Sequence, residues 1–158
     1  MLQLRDAAVT DPDAQRLLGA YFDERAAGFP AEQGTYRPTW PDPAQFEPPA
    51  GAFLIVVDEH GEAVGCGGVR RIQRSPSNAV RFEVKHLWLA PAARGRGDGG
   101  RLLAELERRA AEYGAAEVVL DTNASLEAAG GLYRAHGYED IEPYNANPNA
   151  TNWYGKSV

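Results

Sequence analysis

A single cysteine, Cys66, occurs among 158 residues, so no internal disulfide can form and a reducing compartment is expected. Three scattered histidines and that cysteine offer no metal cluster, and no metal is expected. No apolar run approaches the roughly 20 residues that a membrane helix needs. The start, MLQLRDAAVTD, lacks the basic stretch and apolar core of a secretory signal, which points to a cytoplasmic protein without a membrane partner. Positive charge is scarce as well, with 16 basic against 22 acidic residues and a net charge of −6. Residues 1–60 carry ten acids and four arginines, and the rest carry twelve of each sign. A general nucleic-acid binder has the opposite bias, so nucleic acid is not an expected partner. The acidic excess reads as solubility, ahead of a funnel for a cationic substrate.

What is present fits one globular domain, residues 1–158, able to bury roughly two thirds of its unfolded surface. Repeats and low-complexity tracts are missing. Leu2–Arg5 alternates as a first strand, and Asp11-Pro12 opens a helix to about Asp23 that buries Ala14, Leu17, Leu18 and Tyr21. Residues 26–51 hold most of the prolines in a long irregular segment, whose aromatics Phe29 and Tyr36 suit a substrate lip. Residues 52–58, 62–73 and 79–89 read as three antiparallel strands joined by turns. Gly65, Gly67 and Gly68 imply a bulge or a close approach by another backbone. The period then changes to 3.6, with Leu102, Leu103, Leu106, Ala110 and Tyr113 on one stripe. A strand over 117–121, a helix over 126–136, a strand over 138–142 and a last strand near 152–158 complete the order. The class is α/β, a mixed and mostly antiparallel sheet flanked by helices.

The informative segment runs from Leu87 to Gly100, from a strand into a helix. Gly95, Gly97, Gly99 and Gly100 crowd the helix start, and no serine or threonine caps its first amides. Open N–H groups, absent side chains and two arginines, Arg94 and Arg96, make an anion site suited to a diphosphate. No Gly-Lys-Ser/Thr follows, which argues against a P-loop. The loop comes after an antiparallel run, which argues against a dinucleotide fold.

Arg94-Gly95-Arg96-Gly97-Asp98-Gly99 resembles the Gln/Arg-x-x-Gly-x-Gly/Ala signature of the GNAT superfamily of N-acetyltransferases. Asn123 and Leu132-Tyr133-Arg134-Ala135-His136-Gly137-Tyr138 resemble its second motif. The resemblance covers residues 52–142. It implies acetyl-CoA as cosubstrate, with its pantetheine arm paired to Leu87, Trp88 and Leu89. The amides of Gly95, Gly97, Gly99 and Gly100, with Arg94, would take the pyrophosphate. Asn123 would touch the pantetheine, Tyr133 would stand near the thioester sulfur, and Tyr144 and Asn145 would border the acceptor. It also implies a homodimer. Asp98 departs from the branched apolar residue usual at its position, and its acid is expected to face away from the ligand.

An amine of pKa near 10.4 is about a thousandth deprotonated at neutral pH, at a cost of roughly 4 kcal/mol, so a base is the main chemical need. Glu83 is the candidate base, placed by period-two parity on the face of Lys85, Leu87 and Leu89 and spaced from the loop like the glutamate of some superfamily members. An ordered water is the alternative base, and an ion pair to Lys85 or Arg81 the alternative role for Glu83. Tyr133 is the candidate general acid, and a strand amide within 87–89 can hold the oxyanion. The expected reaction is acetyl transfer to a primary amine of a small molecule, a polyamine being mildly favoured. A protein lysine or N-terminus, or a non-catalytic acyl-CoA sensor, stays open.

Overall fold

The computed structural model describes residues 2–158. The edge strand β1 (Gln3–Asp6) leads into helix α1 (Pro12–Gly28). The Asp11 carboxylate accepts from the Asp13 amide at 2.8 Å and Pro12 fills the first turn, so the cap forms as expected. The helix continues past Asp23 because its last turn has tertiary partners. There Glu24 meets Trp88 and Arg94, and the Arg25 guanidinium stacks over the Tyr36 ring at 5.0 Å. Two short 3-10 turns (Ala31–Gln33 and Pro43–Phe46) break the irregular segment that follows.

Strands β2 (Gly51–Val57), β3 (Ala63–Arg71) and β4 (Arg81–Leu89) extend β1 into an antiparallel run. Helix α2 (Asp98–Glu112) crosses to β5 (Glu117–Thr122), which lies parallel to β4. Helix α3 (Glu127–Ala135), β6 (Glu139–Asp140) and β7 (Asn152–Ser157) follow. The sheet order is β1-β2-β3-β4-β5-β7-β6, with β7 inserted antiparallel between β5 and β6. The strand expected over 138–142 shrinks to two residues. It lies on the sheet edge with both side chains exposed, so no buried face extends it.

Both faces of the sheet are covered, and β2 shows why its sequence is continuously apolar. Leu54 and Val56 pack with Leu102, Leu103 and Leu106 of α2, while Phe53 and Ile55 pack with Leu17, Leu18 and Phe22 of α1. Each such fully buried side chain contributes about 1.5–3 kcal/mol. On β3, a Cβ at Gly68 would stand 2.7 Å from the Phe46 ring, so glycine admits the second 3-10 turn against the sheet.

Two features of β4 shape what lies beside it. Lys85 pairs with Gly68 but Trp88 with Cys66, so His86 and Leu87 together oppose Gly67 in a bulge. His86 takes φ 58°, in the left-handed region. Parity therefore flips. Glu83 lies between Phe82 and Val84, both in the α2-side core, and so faces the α1 side with Lys85. Leu87 and Leu89 turn to the α2 side, contrary to the shared face expected from strict alternation. The second feature is the short ladder to β5, which pairs only Arg81, Phe82 and Glu83 with Glu117, Val118 and Val119. From Val84 onward β4 has no β5 neighbour, and the two strands part.

Candidate active site

The glycine corner follows β4 directly. Gly95 and Gly97 both take φ 82°, and Gly97 caps α2 without a side-chain hydrogen bond. The first backbone bond of α2 runs from the Arg101 amide to the Gly97 carbonyl at 3.2 Å. Among the described residues, none of the amides from Gly95 to Gly100 donates to a protein acceptor. A Cβ on Gly95 or Gly97 would meet nothing within 4 Å, so the loop is open on the side to which side chains would point. Gly100 is glycine for another reason: a Cβ there would stand 2.6 Å from Nε2 of His136. Asp98 is half of an ion pair with Arg101 at 3.2 Å, so its charge has a compensating partner. Arg96 is exposed. Arg94 has a different posture. Its Nε donates to the Leu89 carbonyl at 2.9 Å and its Nη2 to both oxygens of Glu24 at 2.8 and 2.9 Å. The same carboxylate accepts from the Trp88 indole. Partial burial raises the Glu24 pKa, but the bonds from Trp88 and Arg94 outweigh it and hold the carboxyl below its ordinary value.

A cavity of about 530 Å³ opens where β4 and β5 part. Its walls come from α1 (Tyr21, Phe22, Arg25), the irregular segment (Tyr36, Arg37, Trp40), β4 (Lys85, His86, Leu87) and β5 (Asp121). Tyr133 of α3 and Asn145 and Asn149 of the loop before β7 complete it. Trp40, set edge-on to Phe22 at 5.0 Å, is 49% exposed and forms an aromatic lip. Nothing in the sequence pattern marked Trp40, Arg25, Arg37, His86 or Asp121, because a loop, the last turn of a helix and the ends of strands carry no periodic signal.

Glu83 does not line this cavity. Its side chain is 1% exposed. Oε1 accepts from Arg70 Nε at 3.0 Å and lies 2.9 Å from its Nη2, while Oε2 accepts from the Tyr144 hydroxyl at 2.6 Å. Burial, and then the Glu83 charge, push the Tyr144 phenol far above its usual range, so it stays the donor. Asp121 is the carboxylate on the cavity wall. Its Oδ1 lies 3.7 Å from Lys85 Nζ, and its Oδ2 accepts from Asn145 Nδ2 at 2.7 Å. Lys85 thus stands between Asp121 and Glu83, whose Oε2 is 4.0 Å away. Tyr133 is buried beside Tyr138 and Tyr154 and reaches the cavity. Burial lifts its pKa above the ordinary phenol value, with Tyr21 and Asp121 adding and Arg25 opposing. His86 is buried among Tyr21, Phe22 and Phe46, and its Nδ1 has no hydrogen-bond partner among the described residues. Burial, reinforced by Lys85 and Arg70, lowers its pKa to about 3 and keeps the ring neutral. Cys66 is buried behind it, with its thiol pushed up to about 12 by burial.

The remaining expected contacts divide. Tyr36, Asn145 and Leu87 meet at the cavity, whereas Phe29 supports Tyr36 from behind at 5.7 Å. Tyr144 serves Glu83, Trp88 serves Glu24, and Leu89 packs into the α2-side core. Asn123 has protein partners for all its polar groups. Nδ2 donates to Gln33 Oε1 at 2.7 Å and to the Asn149 carbonyl at 3.1 Å, and Oδ1 accepts from the Ser125 amide and hydroxyl. Asn149 in turn grips the backbone N–H and carbonyl of Arg37. The acids of the first sixty residues do not gather at the cavity, where only Asp42 lines a wall and caps the second 3-10 turn. Others pair elsewhere, Asp6 with Arg109 and both Asp11 and Asp13 with Arg5.

A helix start with open amides follows the strand that parts from its neighbour, and comparison with known proteins gives the family. The acetyltransferase (GNAT) family profile matches residues 20–138, and the chain belongs to that family. It is 36% identical over 104 residues to an uncharacterised N-acetyltransferase of Schizosaccharomyces pombe, covering 66% of this chain and 61% of that protein. The chain spans about half to three fifths of the length of the first curated relatives it matches. A Klebsiella pneumoniae structure described as an acyl-CoA N-acyltransferase superposes with a TM-score of 0.75 and 28% identity, over 99% of this chain and 97% of that one. A phosphinothricin acetyltransferase from Sinorhizobium meliloti, solved in complex with AcCoA, shares the fold with a TM-score of 0.68 and 20% identity, over 99% and 88% of the two chains.

Proposed function

We propose that the chain binds acetyl-CoA and transfers the acetyl group to a primary amine of a small molecule by direct attack. One observation carries this reading: β4, whose unpaired stretch gives Lys85, His86 and Leu87 to the cavity wall, leads directly into the open amides of residues 95–100. Family membership and the AcCoA complex of the Sinorhizobium protein support the cosubstrate. Acetyl-CoA supplies a thioester whose thiol, with pKa near 8.5, leaves readily. The amides of Gly95, Gly97, Gly99 and Gly100, with the exposed Arg96, hold its diphosphate. Arg94, occupied by Glu24 and the Leu89 carbonyl, fixes the loop against α1. The free β4 edge pairs with the amide-bearing arm and offers an N–H to the oxyanion.

The acceptor nitrogen adds to the thioester carbonyl, the oxyanion adduct collapses with loss of the thiolate, and the proton the nitrogen sheds needs an acceptor in the cavity. The burial of Glu83, with both oxygens engaged, favours Asp121 as that base, with Glu83 holding Arg70 and Lys85 in place. Tyr133 keeps its proton at neutral pH and is the donor available to the leaving sulfur. A cavity of this volume, walled by the loops, favours a small acceptor over a folded protein. The test is calorimetric titration with coenzyme A, followed by thiol release from acetyl-CoA across a panel of amines. Saturable heat and amine-dependent thiol release are expected. A flat titration at millimolar coenzyme A would end this reading.

A further inference from the structure

Charge on the cavity wall runs against the acidic balance of the chain. Four cations line it, Arg25, Arg37, Arg70 and Lys85, facing two carboxylates, Asp42 and Asp121. Arg70 is neutralised by the buried Glu83, and Lys85 stands between Glu83 and Asp121. Arg25 and Arg37 differ. Among the described residues neither has a carboxylate partner: Arg25 reaches only the Tyr21 hydroxyl at 3.4 Å and the Tyr36 ring, and the Arg37 guanidinium makes no hydrogen bond. Both are nonetheless held at the cavity, Arg25 by α1 and Arg37 through its backbone bonds to Asn149. Two guanidinium groups without carboxylate partners thus line one cavity with Asp121 on its β5 wall, a lining suited to an anion.

We infer that Arg25 and Arg37 bind the carboxylate of the acceptor, so that the acceptor is an amino acid or a similarly small carboxylate-bearing amine. The inference rests on the acetyl-transfer reading and specifies its substrate class. The ammonium end meets Asp121 and the carboxylate end meets the two arginines, which orients the nitrogen before it loses its proton. A polyamine has nothing to offer these arginines and is repelled by them. The aromatic wall of Tyr21, Phe22 and Trp40 gives an apolar side chain a surface to lie on.

The test compares each amine with its decarboxylated counterpart: phenylalanine with phenethylamine, alanine with ethylamine, and spermidine as the cationic control. Thiol release should favour the acids by at least about tenfold in kcat/KM, the discrimination that a charge-assisted hydrogen bond supports. In Arg25→Gln and Arg37→Gln that ratio should collapse toward one, while the coenzyme A affinity read by calorimetry stays within about twofold. Spermidine or the decarboxylated amines reacting as well as the acids would overturn the inference. So would variants that weaken coenzyme A as much as they raise the KM of the acids, since that places the arginines on the cosubstrate. Calorimetry of phenylalanine and alanine with the coenzyme A-bound protein reads the subsite without turnover. Binding lost in both variants supports it, and failure of both acids to bind overturns it. A flat coenzyme A titration, or thiol release with none of the amines, speaks against acetyl transfer itself.

Discussion

At the residue scale the decisive comparison is between two carboxylates. Asp121→Asn should lower kcat/KM on the order of a hundredfold with little change in coenzyme A affinity, because the base is lost and the diphosphate corner untouched. Glu83→Gln should act mainly through the fold, since Arg70 and Lys85 lose a buried counter-charge, and thermal unfolding should move earlier. Full stability in Glu83→Gln with the larger loss of rate would return the base to Glu83. His86 makes a separate prediction about pH. Its folded pKa is depressed, to about 3, so below an ordinary pKa of 6.5 the unfolded chain gains a proton that the native chain refuses. Stability is therefore full above pH 6.5 and falls as pH drops toward 3, by up to about 1.4 kcal/mol per pH unit from this one group. Urea unfolding of His86→Phe between pH 7 and 4.5 should show a shallower loss than the parent, and equal slopes would mean the ring is not held neutral.

At the element scale, the start of α2 combines a left-handed glycine cap with an open approach. Gly97→Ala places an L-residue at φ 82°, at a cost of roughly 1–2 kcal/mol to the fold. Its new Cβ meets no protein atom, but the change disturbs the φ on which the open amides depend, so coenzyme A affinity should fall by at least about tenfold, beyond what the stability loss explains. Calorimetry beside thermal unfolding separates the two, and an unchanged affinity would remove the diphosphate from this helix. Elements were the most legible level of the sequence. The Asp11-Pro12 cap, the α2 stripe and the three antiparallel strands are local patterns, each decided by residues a few positions apart. The bulge at His86 was not legible, because alternation on either side of it looks the same whichever residue is doubled.

At the scale of the whole molecule, Asn123 joins three distant segments: the end of β5, the turn at Gln33 and the loop at Asn149. These segments frame the cavity and carry Tyr36, Arg37 and Asn145. Asn123→Ala strands buried groups at a cost of about 1–3 kcal/mol and should loosen residues 30–50, read as faster proteolysis there. The acceptor KM should rise while coenzyme A affinity holds. The reverse pattern would give Asn123 a direct contact with the pantetheine, as the family resemblance implies. The parted ends of β4 and β5 belong to this scale too, since both strands look alike in sequence on either side of the last shared pair, Glu83 with Val119.

The amino-acid order alone determined the succession of strands and helices, the cap of α1 and the glycine corner with its uncapped amides, because each depends on chain neighbours and backbone preferences. Tertiary structure alone decided which carboxylate reaches the cavity, which arginines are left without counter-ions and where the sheet opens. Those outcomes turn on one doubled residue in β4 and on contacts between segments far apart in the chain, which no local pattern encodes.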